Sequence, residues 1–386
     1  MTYRLYGTPS SLYTGKARSY LIKQGVAFEN CAPGEARFHE AIVPKIGRWI
    51  IPVLEAPDGS IVQDGSDIIA YFEAKGATRY PAYPATPRHR LIAQIFELFG
   101  GEGLLKPAMH YRWNFDATNR AFLARDFPSA LAPTFAPEDL RAQVFEMASR
   151  RMRKAMSRFG VSDETIPAVE AAYCQFLDLF DAHLEASPYL LGGRPTIGDW
   201  GLIAPLYAHL ARDPYPSTLM KQRAFRVWRW TERMNAVDQD AAEYGHPPAQ
   251  LFADDAAPET LKALLRFIAE DYLPEIEAYV GFTNAWLAER PDIAPGTSGL
   301  DRTQERVIGE VEFDWRGHRV RVAVMPYRLY LLQKVQDVYD QAAPAAQVAM
   351  RALLDETGLA ALLTLRTSRR VERVNHLEVW AAPPVG

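Results

Sequence analysis

The stretch WIIPVLEAPDGSIVQDGSDIIAYFE, residues 49–73, decides the fold. Two short apolar, β-rich runs are joined by PDGS, a hairpin signal. The segment SDIIAYFEAKG, residues 66–76, then opens on Ser and Asp and closes on Gly, as helices do. Pro52 opens a strand that reads as central, an unusual place for a residue that cannot donate to the ladder.

Upstream, YRLYG (3–7) alternates as a strand, GKARSYLIKQG (15–25) reads as a helix ended by Gly25, and AFENCAP (27–33) is a second extended piece. The order is β-α-β followed by β-β-α, a thioredoxin-like arrangement for residues 1–78. Between strand and helix, TPSSLYTG (8–15) crowds hydroxyls into one turn. Those residue types are also ordinary turn and helix-cap choices.

Downstream, a Pro-rich linker occupies 79–87, and periodic apolar residues predict an all-helical domain over 88–244. Within it RPTIGDWGLIAPL (194–206) carries a capping box, Thr196 with Asp199, and places Trp200 opposite Pro195. After a second Pro-rich break, residues 255–386 read as an α+β extension. It comprises two helical stretches, a β-hairpin near 306–325 on either side of WRGH, two more helices and a final strand in NHLEVWAA (375–382).

Composition narrows the class. The 386 residues are 48% apolar and 23% charged with a net charge of -4, and no apolar run is long enough to span a membrane. Interspersed charges leave no footprint for nucleic acid or for a membrane surface. The basic run RTSRRVERVNH (366–376) reads as a solvated edge. Two cysteines, Cys31 and Cys174, lack metal spacing and are expected to be buried thiols of a reduced, cytoplasmic protein; nothing marks the N-terminus for export. The eight histidines are scattered, so no metal is expected.

Together these pieces resemble the cytosolic glutathione transferases over roughly the first 235 residues, with the turn of the serine-type members. The resemblance implies glutathione as co-substrate and a catalytic side chain in the turn after the first strand. Ser11 fits that place best, with Ser10 and Tyr13 in reserve. A free thiol ionises near about 8.5, so a hydroxyl donor on the sulfur favours the nucleophilic thiolate, each pKa unit being worth about 1.4 kcal/mol. The dipole of the following helix acts in the same direction.

The resemblance also makes Pro52 cis and gives Ile51 the backbone groups that pair with the cysteinyl part of glutathione. At the helix start it assigns the γ-glutamyl carboxylate to Asp64, Gly65 and Ser66. Here the chain departs from the family pattern, since Gly65 stands where a serine is usual, and Asp67 adds a negative charge. Arg48 or Trp49 would lie over the glycyl carboxylate, although Arg48 also reads as a solvated residue. Tyr111, Arg112 and Trp113 would line the second-substrate pocket, although aromatics at that spacing also read as core.

The implied activity is transfer of the glutathione thiolate to a small electrophilic or aromatic substrate, a detoxifying chemistry. The alternative is a non-catalytic binding or assembly protein with a vestigial site. A reductase acting through a mixed disulfide ranks below both, because the turn has serines where that chemistry needs a cysteine. A homodimer is open, since the extension could cover the surface through which family members pair.

Overall fold

The computed structural model describes residues 2–76 and 78–383. Strand β1 (Tyr3–Tyr6), helix α1 (Leu12–Gln24) and β2 (Phe28–Cys31) form the β-α-β unit, and α2 (Val43–Ile46), β3 (Val53–Glu55), β4 (Ile61–Gln63) and α3 (Gly65–Ala74) follow. The sheet runs β2-β1-β3-β4, with β2 parallel to β1 and the remaining neighbours antiparallel. Helix α1 stops at Gly25, whose left-handed backbone (φ 70°) turns its N–H back onto the carbonyls of Ile22 and Leu21. The Ile51–Pro52 peptide is cis. The β3 ladder begins only at Val53, which keeps Ile51 outside it.

Helices α4 (Pro87–Leu98), α5 (Leu105–Trp113), α6 (Asp116–Leu131), α7 (Glu138–Ala155), α8 (Ile166–His183), α9 (Ile197–Pro205), α10 (Pro214–Arg223) and α11 (Phe225–Arg233) make up the middle of the chain. Between α4 and α5 lies a wide π turn, Phe99–Gly103. A Cβ on Gly100 would fall 2.4 Å from the carbonyl carbon of Gly201, so the π turn and α9 touch backbone to backbone, as only glycine permits. At the head of α9, Asp199 accepts the Thr196 N–H (2.9 Å), the Leu190 N–H (3.0 Å) and the Trp230 indole N–H (3.2 Å). The box that starts the helix thereby also ties it to its neighbours.

The C-terminal region contains α12 (Glu259–Asp271), α13 (Leu273–Ala288), the hairpin β5 (Gly309–Trp315) and β6 (His318–Val324), then α14 (Pro326–Asp340), α15 (Pro344–Thr357) and a second hairpin of β7 (Val371–Val374) and β8 (Leu377–Trp380). Helix α14 packs on α4. One apolar core runs without interruption from Leu5 and Ile68 through Phe96 and Trp200 to Tyr327, Leu332 and Trp380.

Three expectations change here. The basic run 366–376 is not simply a solvated edge: it contains β7, and the Arg373 side chain is only 8% exposed. The expected final strand is a hairpin, because Asn375 and His376 both take positive φ (47° and 67°) and make a two-residue turn without the usual glycine. Cys31 and Cys174 are half-buried free thiols, as both lie on elements whose other face is solvated.

Candidate functional site

The two ends of the expected groove lie at the turn before α1 and at the start of α3. In the turn, Ser11 is the N-cap of α1, with extended backbone (φ -89°, ψ 127°), and its Oγ accepts a long 3.4 Å bond from the Thr14 N–H. Among the described residues no acceptor takes the proton of Ser11 Oγ. The two reserve hydroxyls are committed elsewhere. Ser10 Oγ shares a 2.8 Å bond with Thr8 Oγ1, and the Tyr13 hydroxyl donates to Glu102 Oε1 at 2.8 Å. Burial and the Glu102 charge push the Tyr13 phenol well above its ordinary pKa, so it stays protonated.

Arg112 holds this turn in place. Its Nη1 donates to the Ser10 carbonyl at 2.7 Å, while Nε and Nη2 grip Asp213 at 2.6 and 2.9 Å. A bidentate guanidinium–carboxylate pair of this kind fixes orientation as well as charge. The expectation of a second-substrate pocket at Tyr111, Arg112 and Trp113 therefore meets a different arrangement, since all three are buried. Tyr111 stacks on Phe115, and Trp113 meets Phe127 edge-on. Their residue types serve packing because α5 runs through the middle of the bundle, with both sides covered.

At the other end, Asp64 adopts φ 90° and ψ 142°, a backbone region that side-chain-bearing residues rarely enter and that costs of order 1–3 kcal/mol. Its carboxylate accepts the Ser66 N–H and the Tyr327 hydroxyl, each at 2.8 Å. Gly65 has a local reason. A Cβ there would lie 3.1 Å from the Tyr13 carbonyl and 3.3 Å from Lys16 Cδ, so a serine would press α3 off α1. The next hydroxyl, Ser66, is drawn inward, donating to Glu97 at 2.5 Å and accepting from Lys16 Nζ at 2.7 Å. Lys16 and Glu97 pair at 2.6 Å with almost no exposure. Burial alone would raise the Glu97 carboxyl, but Lys16 and the neighbouring donors hold it below the ordinary range.

The C-terminal region supplies the partners of this helix start. Arg373 on β7 donates to the Gln63 carbonyl (3.2 Å), to Gln63 Oε1 (2.5 Å) and to Asp67 Oδ2 (3.2 Å), and the Tyr330 hydroxyl donates to Asp67 Oδ1 at 3.2 Å. Asp67 is nonetheless pushed up, by burial and by the nearby Asp64 charge, against the pull of Arg373. Arg373 also donates to Glu378, which Arg48 grips through two bonds of 3.0 and 3.2 Å. Burial would raise the Glu378 carboxyl, but Arg306, Arg373 and Arg48 outweigh it and hold its pKa at about 2. Arg48 is therefore a buried ion-pair member, whereas Trp49 is 44% exposed.

Deeper in, Arg328 on α14 donates to Glu102 at 3.0 Å and also pairs with Glu275, which Lys106 meets from the far side. The π turn after α4 is what aims Glu102 at both Tyr13 and Arg328. Lys16, Glu97, Glu102, Arg328, Arg373 and Glu378 were all missed at the sequence level. Lys16 and Glu97 had left a signal, as each is a charge set among apolar neighbours on its helix. The arginines of the extension had left none.

Residues 5–79 match the family model described as "Glutathione S-transferase, N-terminal domain", and residues 163–233 match "Glutathione S-transferase, C-terminal domain". The chain carries the two domains of the glutathione S-transferase family. No curated protein matches the sequence. Similar solved structures include a glutathione S-transferase from Xanthobacter autotrophicus Py2, 20% identical, covering 61% of this chain and 93% of that one with a TM-score of 0.34. Another is a glutathione S-transferase from Methylobacterium radiotolerans JCM 2831 in complex with glutathione sulfonate: 21% identical, 67% and 100% covered, TM-score 0.37. The β-etherase LigF from Sphingobium sp. strain SYK-6 is 19% identical, with 64% and 99% covered and a TM-score of 0.41. The family assignment rests on the two domain matches and not on these likenesses.

On this glutathione S-transferase scaffold the C-terminal region completes the surroundings of the groove. Among the described residues no helix is long and apolar enough to cross a membrane, and no three His, Cys, Asp or Glu side chains are grouped to hold a metal ion.

Proposed function

We propose that this chain is a glutathione-dependent transferase that holds the glutathione thiolate at Ser11 and delivers it to a small electrophilic or aromatic substrate. The observation that carries the reading is the Ser11 hydroxyl at the N-terminus of α1, whose proton finds no acceptor among the described residues, beside a Ser10 hydroxyl bonded to Thr8 and a Tyr13 hydroxyl that donates to Glu102. A hydroxyl without an acceptor can donate to a sulfur anion, and the helix dipole favours negative charge at the same place. Ile51, held out of the ladder next to a cis peptide, has backbone groups suited to an extended ligand. In the reaction the thiol proton leaves to solvent, the sulfur pair forms the C–S bond, and the leaving group departs with the pair of the bond it held.

The test is thiolate absorbance of bound glutathione against pH. Replacement Ser11→Ala should raise the bound thiol's pKa by about one to two units, the equivalent of one charge-assisted hydrogen bond. An unchanged pKa together with unchanged turnover would sink the serine assignment. A second reading, a binding or assembly protein with a closed site, is supported by one observation: Arg373 and Tyr327 occupy the acceptors at the start of α3.

A further inference from the structure

The tip of the second hairpin meets the start of α3 and Arg48. Its base is fixed: Gln333 exchanges two bonds with the Val371 backbone (2.8 and 2.9 Å), Trp380 is buried, and the Trp380 N–H donates to the Thr297 carbonyl at 2.9 Å. Its tip is held differently. From Arg373 to Glu378 the contacts with the N-terminal domain are polar, made by Arg373 with Gln63 and Asp67 and by Glu378 and the His376 carbonyl with Arg48. On one side of the tip lies a cavity of about 270 Å³, lined by Arg48, Thr303, Arg306, Leu377 and Glu378 among others, so the tip is not locked by close packing there.

We infer that the tip of the β7–β8 hairpin is a built-in competitor for the groove, its Arg373 guanidinium filling the place beside Gln63 and Asp67 that a ligand's ammonium group would take. The inference rests on the reading of this groove as a glutathione site. The chemistry of the pocket is that of a cation site: the Asp67 carboxylate, the Gln63 backbone carbonyl and the Gln63 amide oxygen all accept from one guanidinium. A γ-glutamyl ammonium carries the same charge and the same kind of donors, so ligand and hairpin tip satisfy one set of acceptors and exclude each other. Glu378 holds the tip in register by pairing Arg373 with Arg48, one residue from the hairpin and one from the N-terminal domain. Glutathione then binds only the fraction of molecules whose tip has withdrawn, and its apparent affinity falls by that fraction.

Calorimetric titration with glutathione of the full chain, of Arg373→Ala and of Glu378→Gln tests this, with hydrogen exchange of residues 371–380 followed in the same samples. Glu378→Gln loosens the tip while leaving Gln63 and Asp67 unaltered, and so covers the case in which Arg373→Ala fails to fold. The expected result is that both variants bind glutathione about tenfold tighter or more than the unaltered chain, because a larger fraction is open. Saturating glutathione should also raise exchange at 371–380 in the unaltered chain, and Arg373→Lys, which keeps the cation, should stay close to it in affinity. If glutathione binds all the proteins equally, or the variants less tightly, the competitor role is overturned while the glutathione reading stands. If none of the folded proteins binds glutathione, the glutathione reading itself falls and takes the competitor role with it.

Discussion

The turn before α1 and the start of α3 meet at Gly65, whose Cβ position would lie 3.1 Å from the Tyr13 carbonyl, but they are finished in opposite ways. At the turn, the backbone is clamped from behind by Arg112 through the Ser10 carbonyl, and the Ser11 hydroxyl proton finds no acceptor among the described residues. At the helix start, the side chains of Asp64, Ser66 and Asp67 are all bonded, and several of those bonds come from residues more than 250 positions away. The first end keeps a hydroxyl open, as the proposed thiolate site requires, whereas the polar groups of the second are satisfied by the chain itself.

The largest effect should come from the buried ion network behind the first end. Arg328→Met removes the cation between Glu102 and Glu275, leaving Glu102 buried without its ion-pair partner while Glu275 keeps Lys106, and should destabilise the chain by about 3–5 kcal/mol in denaturant unfolding. Loss of under about 1 kcal/mol would mean that this network does not tie α14 to the first end.

Acid should act next, at the second end. With its folded pKa held at about 2, Glu378 contributes stability that is fully present above the ordinary carboxyl range and is lost as pH falls through that range toward 2. The groups facing it are Arg48, Arg306 and Arg373, all cationic throughout this window, with His376 next to them on the turn. Hydrogen exchange at 371–380 should therefore rise between about pH 4.5 and 2, ahead of exchange in β1 and β3. Simultaneous loss of protection would show that the hairpin tip has no separate hold.

At the first end, Ser11→Asn keeps a good N-cap but moves the donor. It should change unfolding free energy by less than about 1 kcal/mol while removing the effect on the bound thiol's pKa. Gly65→Ala presses a methyl group against the Tyr13 carbonyl and Lys16, and should cost about 1–2 kcal/mol by thermal or denaturant unfolding. A stabilising result would show that α1 and α3 can part freely, contrary to the close approach that accounts for Gly65. Smallest of all, Tyr327→Phe removes one hydroxyl from Asp64, which keeps its bond from the Ser66 N–H. About 1 kcal/mol is expected, measured by the same unfolding.

Much of the groove's frame was legible from local pattern. The thioredoxin-like order came from alternation, a hairpin signal and helix-ending glycines, and the cis Pro52 and the Thr196–Asp199 box lie where the motifs pointed. The ranking of hydroxyls in the turn was legible only in part. Residue types nominated Ser10, Ser11 and Tyr13 together, and the choice of Ser11 depends on where Thr8 and Glu102 sit. Tyr111, Arg112 and Trp113 illustrate the opposite case. Their spacing fits a pocket wall and a core helix equally, and the helices packed around α5 made the decision.

By itself the sequence determined what depends on neighbours in the chain: strand alternation, helix periodicity, the cap at Thr196, and the glycine stops. These rest on backbone geometry and short-range hydrogen bonding, which a few residues suffice to specify. Only the tertiary structure decided which charges pair. An arginine on a strand reads alike whether water or a carboxylate receives it, and Asp67 with Arg373, or Arg48 with Glu378, are brought together across more than 300 residues by packing alone.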